Sequence, residues 1–164
     1  MVKFFLGVAI VAFTTFCGYL LSKKYRKRKL FFAKLNDFNE RFLTEISYYR
    51  RPILQWIQEI EGKGEFAFCV QEYLRRVTNQ VPIHGMLIDD SMYSFLSAEE
   101  KGEIEKYFSI LGKGDSLSQK NRFTAERERL VSWRKLAEDN AKKYGDLYIK
   151  VGFLFGLFVL IIIV

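Results

Sequence analysis

Two cysteines, two prolines, one histidine and 11 glycines are all that the 164 residues hold of these types. With so little proline and glycine, the chain lacks the punctuation that a sandwich or barrel needs for its many tight turns, so a mostly helical protein is expected. Cys17 and Cys69 are too few for a disulfide framework, and with His84 they rule out a zinc site built from those residues alone. Apolar residues, by contrast, are plentiful. The chain is 49% hydrophobic and 16% aromatic, too much for intrinsic disorder, and its length is that of one domain.

The apolar residues gather at the two ends. The uncharged run FFLGVAIVAFTTFCGYLL from Phe4 to Leu21 would make about 27 Å of helix, close to the thickness of a bilayer's hydrocarbon. A secretory signal would want a basic start and a small-x-small cleavage site. Here Lys3 is the only basic start, and SKKYRKRK follows the run, so the expectation is an uncleaved anchor. The stretch VGFLFGLFVLIIIV from Val151 to Val164 covers about 21 Å as a helix, and extending it back to Leu147 brings in only Lys150. A lysine near the end of a span can keep its ammonium at the interface, where Tyr144 and Tyr148 would also suit. The expected segments are a transmembrane helix over 1–22, a helical domain over 23–146 and a second transmembrane helix over 147–164.

Charge gives the orientation. Lys23, Lys24, Arg26, Lys27, Arg28 and Lys29 supply six positives without an acid, and apart from them the net charge falls from +7 to +1. Basic residues beside both spans, with Lys142, Lys143 and Lys150 at the second, place the middle of the chain in the cytoplasm. A nucleic-acid binder would spread its basic charge over a folded face. This chain concentrates it where anionic headgroups lie, so membrane lipid is expected as a partner and nucleic acid is not.

Between the spans the periodicity is helical. Phe31, Leu35, Phe38, Phe42, Ile46 and Tyr49 form one stripe, with Pro52 starting a new element that carries Ile53, Trp56, Ile57 and Ile60. Gly62 and Gly64 close that element, and a further helix fits Phe66 to Val77, aligned on Phe66, Val70, Leu74 and Val77. Thr78 to Gly85 is irregular. Asp89 and Asp90 are expected to cap a short helix through Met92, Phe95 and Leu96. Ser97 and Glu100 have the spacing of a capping box for a helix through Ile104, Tyr107, Phe108 and Leu111, and Gly112 stops it. Asp115 then caps a last long helix in which Phe123, Leu130, Ala137, Tyr144 and Val151 recur every seven residues. The fold expected is all-α: a helical bundle with two long antiparallel helices continuing into N- and C-terminal transmembrane spans.

Little of this is chemistry. His84 reads as a loop histidine, and Cys17 and Cys69 read as packed thiols. Glu99, Glu100, Glu103 and Glu105 read as a solvated helix face. GKG at Gly62 and GKGDS at Gly112 lack the spacing of a phosphate loop. No catalytic, cofactor or metal residue is expected. Gly152 and Gly156 form a GxxxG pair suited to close helix packing, against the first span near Gly7 or Gly18 or between copies of the chain.

The ordered combination resembles a known family, stage III sporulation protein AB of endospore-forming bacteria. The resemblance is carried by the N-terminal span with its basic flank, the Pro-started helix, the stretch FLSAEEKGEIEKYFSILGKGD and the long charged helix running into an apolar end. Most telling is Leu111-Gly112 followed by Asp115. It implies a non-enzymatic platform, similar to the inner-membrane platform proteins of type II secretion and type IV pili, in a channel complex between mother cell and forespore. It further implies the outer forespore membrane, a domain facing the mother-cell cytoplasm, and a secretion-type ATPase (stage III sporulation protein AA) and other channel components as partners. An alternative function is a membrane organiser that holds anionic lipid through Lys23 to Lys29, with no motor partner.

Overall fold

The structure is a computed structural model, and it describes residues 2–49, 52–60, 62–87 and 91–163. The expected caps Asp89 and Asp90 lie outside the described residues. Among the described residues five α-helices follow one another: α1 (Val2–Thr44), α2 (Ile53–Gln58), α3 (Glu65–Thr78), α4 (Ala98–Ile110) and α5 (Ser116–Ile163). A π-helical turn, Glu45–Tyr49, extends α1, and a 3-10 turn, Ser91–Tyr93, precedes α4. No strand occurs among the described residues, and the fold is all-α. With 43 and 48 residues, α1 and α5 measure about 65 and 72 Å at the standard rise.

The chain divides into two compact units, Met1–Leu30 with Lys135–Val164, and Phe31–Arg134. The second unit has an aromatic core. Phe42 meets Phe123 at 4.7 Å, Tyr107 meets Phe123 at 5.0 Å and Phe38 meets Trp56 at 5.2 Å between ring centroids. Such pairs each add about 0.5–1.5 kcal/mol beyond the area they bury. Polar groups inside this core are bonded across helices. Tyr107 Oη donates to Asn39 Oδ1 at 3.0 Å, and Asn39 Nδ2 donates to the Phe123 carbonyl at 3.3 Å, so one chain of bonds joins α4, α1 and α5. Burial raises the Tyr107 pKa well above its ordinary value. The phenol therefore stays a donor.

The stripes deviate from the sequence expectation where geometry intervenes. Tyr49 is exposed, not part of the stripe that Phe31 begins, because the wider π turn changes the angular step at the end of α1. Phe32, outside that stripe, is buried against Trp133 at 5.4 Å. On α3 the buried face centres on Cys69, Val70 and Tyr73, whereas Leu74 and Val77 are half-buried. The solvated acidic face of α4 is also corrected. Glu100 closes the N-cap and Glu103 pairs with Arg129, which lies over the Trp133 ring at 5.1 Å. Glu105 is buried. Of the four, Glu99 alone is exposed.

Gly102, in the middle of α4, has open space where a Cβ would stand. Gly102→Ala should therefore stabilise the protein by about 0.5–1 kcal/mol, by lowering the unfolded chain's freedom. Chemical denaturation of the full-length protein in detergent, followed by tryptophan emission, measures this.

Candidate functional site

In the first unit, α1 and α5 run antiparallel along a seam of small residues. Gly7 faces Leu160, and Gly18 faces the Tyr148 carbonyl. A Cβ on Gly152 would stand 2.5 Å from the Thr14 carbonyl oxygen, and one on Gly156 would stand 2.8 Å from Val11 Cα. Both obstacles are backbone, so glycine at these positions allows the approach. Thr14 and Thr15 bond their hydroxyls back to carbonyls of their own helix, at 3.0 Å to Ile10 and 2.7 Å to Val11. They carry no unmet polar group into lipid. Ser22 is fully buried beside Gly145 and makes no hydrogen bond among the described residues. It serves by its size.

The basic cluster lies where this seam ends. Lys23, Lys24 and Arg26 are exposed, and Lys27, Arg28 and Lys29 are half-exposed. Tyr25 packs on Tyr144 at 5.5 Å and on Tyr148 at 5.8 Å, and Arg26 reaches Asp146 at 3.8 Å. That ion pair is exposed and contributes little. The apolar windows of α1 and α5 are only 17% and 11% buried. A helix in a soluble core would be mostly buried, so exposed Phe13, Phe16, Leu154, Phe155 and Phe158 suit hydrocarbon rather than water.

The second unit holds its irregular loop with two opposed charges. Arg76, on α3, donates to the carbonyls of Pro82 at 2.7 Å and His84 at 3.1 Å. Glu105, on α4, accepts from the amides of Gly85 at 3.0 Å and Leu87 at 2.6 Å. His84 Nδ1 lies 3.5 Å from the same carboxylate, with its ring in solvent. In sequence Arg76 carries no signal for this role, and Glu105 looks like one acid of a solvated face; only the folded loop brings their partners to them. Beside the loop is an open groove of about 630 Å³, lined among others by Phe68, Glu72, Arg75, Met86 and Met92.

Glu72 accepts from both Arg75 and Arg76, at 2.7 and 2.8 Å. The Arg75 hydrogen bond leads in lowering its pKa to about 2, against some opposition from burial. A depressed carboxylate stabilises the fold fully above its unfolded pKa, and that contribution is lost as pH falls through the folded value. Stability should therefore decline between about pH 4.5 and pH 2, and Glu72→Gln should flatten that decline. Thermal melting across this range is the check.

Other positions are structural. Ser97 Oγ accepts from the Glu100 amide at 3.2 Å, while Glu100 accepts from the Ser97 amide at 2.9 Å. Gly112 has φ +79°, in the left-handed region, and the Gln119 side chain clamps this turn, its Oε1 accepting from the Gly112 amide at 3.1 Å. Asp115 accepts from the Ser118 amide at 2.9 Å, which lowers its pKa. Pro52 directly precedes α2 with extended backbone, at φ −56° and ψ 125°. Cys69 is buried, and burial pushes its thiol pKa up, with the Glu105 and Glu72 charges adding to it. The thiol thus stays protonated and poorly nucleophilic. Among the described residues no three His, Cys, Asp or Glu side chains converge as metal ligands do.

An apolar seam, a basic end and a compact helical unit say what the molecule is built like, and comparison says where it belongs. The model of the family described as stage III sporulation protein AB matches residues 3–164. The chain belongs to that family. It is thus a sporulation protein, and its two long apolar helices make it a membrane protein. Neither curated proteins nor solved structures give a match. Within the stage III sporulation protein AB family, this chain has a glycine seam between its two long apolar helices and a loop held between Arg76 and Glu105.

Proposed function

We propose that the chain is a non-enzymatic platform of a secretion-like channel complex between mother cell and forespore, set in the outer forespore membrane. In this reading residues 31–134 face the mother-cell cytoplasm and dock a secretion-type ATPase, stage III sporulation protein AA, together with other channel components. One observation carries it. In a sporulation-family chain, the spans close on each other through backbone-close glycines, which leaves the compact unit Phe31–Arg134 as the part able to bind a soluble partner. The groove beside the clamped loop is our choice of contact surface, since Phe68 and Met92 are exposed there and pliable, apolar side chains suit protein docking.

Co-purification of the full-length protein from sporulating cells, after crosslinking, tests this. Crosslinks to the ATPase should fall within residues 31–134, and Phe68→Asp should reduce its recovery about tenfold, the scale of a moderate interface contact. Crosslinks confined to the two spans would end the reading, as would failure to recover the ATPase with a full-length protein whose melting is unchanged.

A further inference from the structure

The net positive charge of the chain belongs to its membrane unit. Residues 1–30 with 135–164 carry eleven lysines and arginines against three carboxylates, a net +8, whereas residues 31–134 carry fifteen against sixteen, a net −1. The tyrosine contacts bring the two basic stretches to one level. Tyr25 touches both Tyr144 and Tyr148, and Gly145 lies against Ser22, so the start of the Lys23 to Lys29 stretch on α1 lies beside Lys142 and Lys143 on α5. Lys143 Nζ sits over the Tyr144 ring at 5.2 Å. Of the three carboxylates, Asp146 is met by Arg26, and Glu138 and Asp139 lie on α5 ahead of Lys142.

An apolar groove of about 630 Å³ runs along the same two spans, lined by Val8, Ala12, Phe16, Tyr19, Phe153 and Leu157 among others. On α1, residues 8, 12, 16 and 19 follow the helical period, and 23 and 26 continue it on the same face. The groove therefore leads directly to Lys23 and Arg26, both exposed. A ligand that satisfies both parts must carry a phosphate-like anion at one end and a hydrocarbon chain at the other.

We propose that this is a binding site for an anionic phospholipid, with the headgroup phosphate on Lys23 and Arg26 and an acyl chain in the groove. The site is independent of whatever docks on residues 31–134. Cationic side chains at a bilayer surface attract acidic headgroups, and the neighbouring groove turns a diffuse attraction into a located one.

The test uses the full-length protein in phosphatidylcholine nanodiscs, with spin-labelled phosphatidylglycerol or spin-labelled phosphatidylcholine as the probe. The native chain should immobilise the phosphatidylglycerol probe about thirtyfold more strongly, the ratio given by two basic residues that each attract the headgroup by about 1 kcal/mol. Lys23→Gln with Arg26→Gln should bring that ratio near unity. Ala12→Phe, which fills the groove and leaves the charge alone, should lower the immobilised fraction, and Lys113→Gln with Lys120→Gln, in the other unit, should leave the ratio as it was. Equal association of the two probes with the native chain would overturn the proposal. So would a preference that survives the Lys23/Arg26 change, an unaltered fraction in Ala12→Phe, or an equal loss in the Lys113/Lys120 variant.

Discussion

Gly152→Leu combined with Gly156→Leu should separate the two spans, at a cost of about 3 kcal/mol or more. The glycines meet the Thr14 carbonyl oxygen and the Val11 Cα, each within 2.8 Å of where a Cβ would stand. Those obstacles are backbone, so no rotamer change relieves them and the helices must move apart. Moving apart forfeits the close packing on which association in lipid depends, because hydrocarbon gives apolar faces no drive to pair. Gly145→Ala is the control. Its Cβ would lie 3.7 Å from Ser22 Oγ, an ordinary contact, and should change stability little. Reversible SDS titration in mixed micelles, followed by near-ultraviolet circular dichroism of the Tyr25–Tyr144–Tyr148 cluster, compares the variants. If the double leucine variant titrates like Gly145→Ala, the seam does not hold the spans.

Glu105→Ala should cost the second unit about 3 kcal/mol, since it strips a charged acceptor from two amides in a buried setting. Glu105→Gln should do little better. The Gly85 amide bonds to Oε2 and the Leu87 amide to Oε1, so an amide side chain can serve one and sets its own N–H₂ against the other. Exposed Glu99 on the same helix provides the comparison, and Glu99→Gln should stay within about 0.5 kcal/mol of the native protein. Denaturation of the full-length chain followed by the emission of Trp56 and Trp133 gives the stability. Hydrogen exchange at Gly85 and Leu87 should quicken selectively. Unchanged exchange at both amides would contradict the clamp.

Much of this fold can be read locally. Long apolar runs and the lack of breakers reveal the two spans without any knowledge of their neighbours, and the core aromatics Phe31, Phe38, Phe42 and Phe108 fall on helical periods. Glu105 could not be read that way. In sequence it is one more acid beside Glu99, Glu100 and Glu103, and only the loop that folds over it provides the amides it accepts from. The heptad series on α5 failed for a different reason. Phe123, Leu130 and Ala137 are buried as the series requires, but at the next steps the seam carries Gly145 and Gly152 rather than Tyr144 and Val151. A straight helix drifts by about 20° per heptad. Four heptads bring about 80°, nearly the angle between adjacent residues, so the facing position slips by one.

The sequence alone determined that the chain is helical and that each end is apolar enough to cross a bilayer, because hydrophobic length and helical period are properties of contiguous residues. Tertiary structure alone decided which glycines meet, that Tyr25 brings Lys143 to the level of Lys23, and that one carboxylate of α4 is turned inward. Those outcomes depend on the register of one helix against another, which is set by the best fit of whole surfaces rather than by any local stretch of chain.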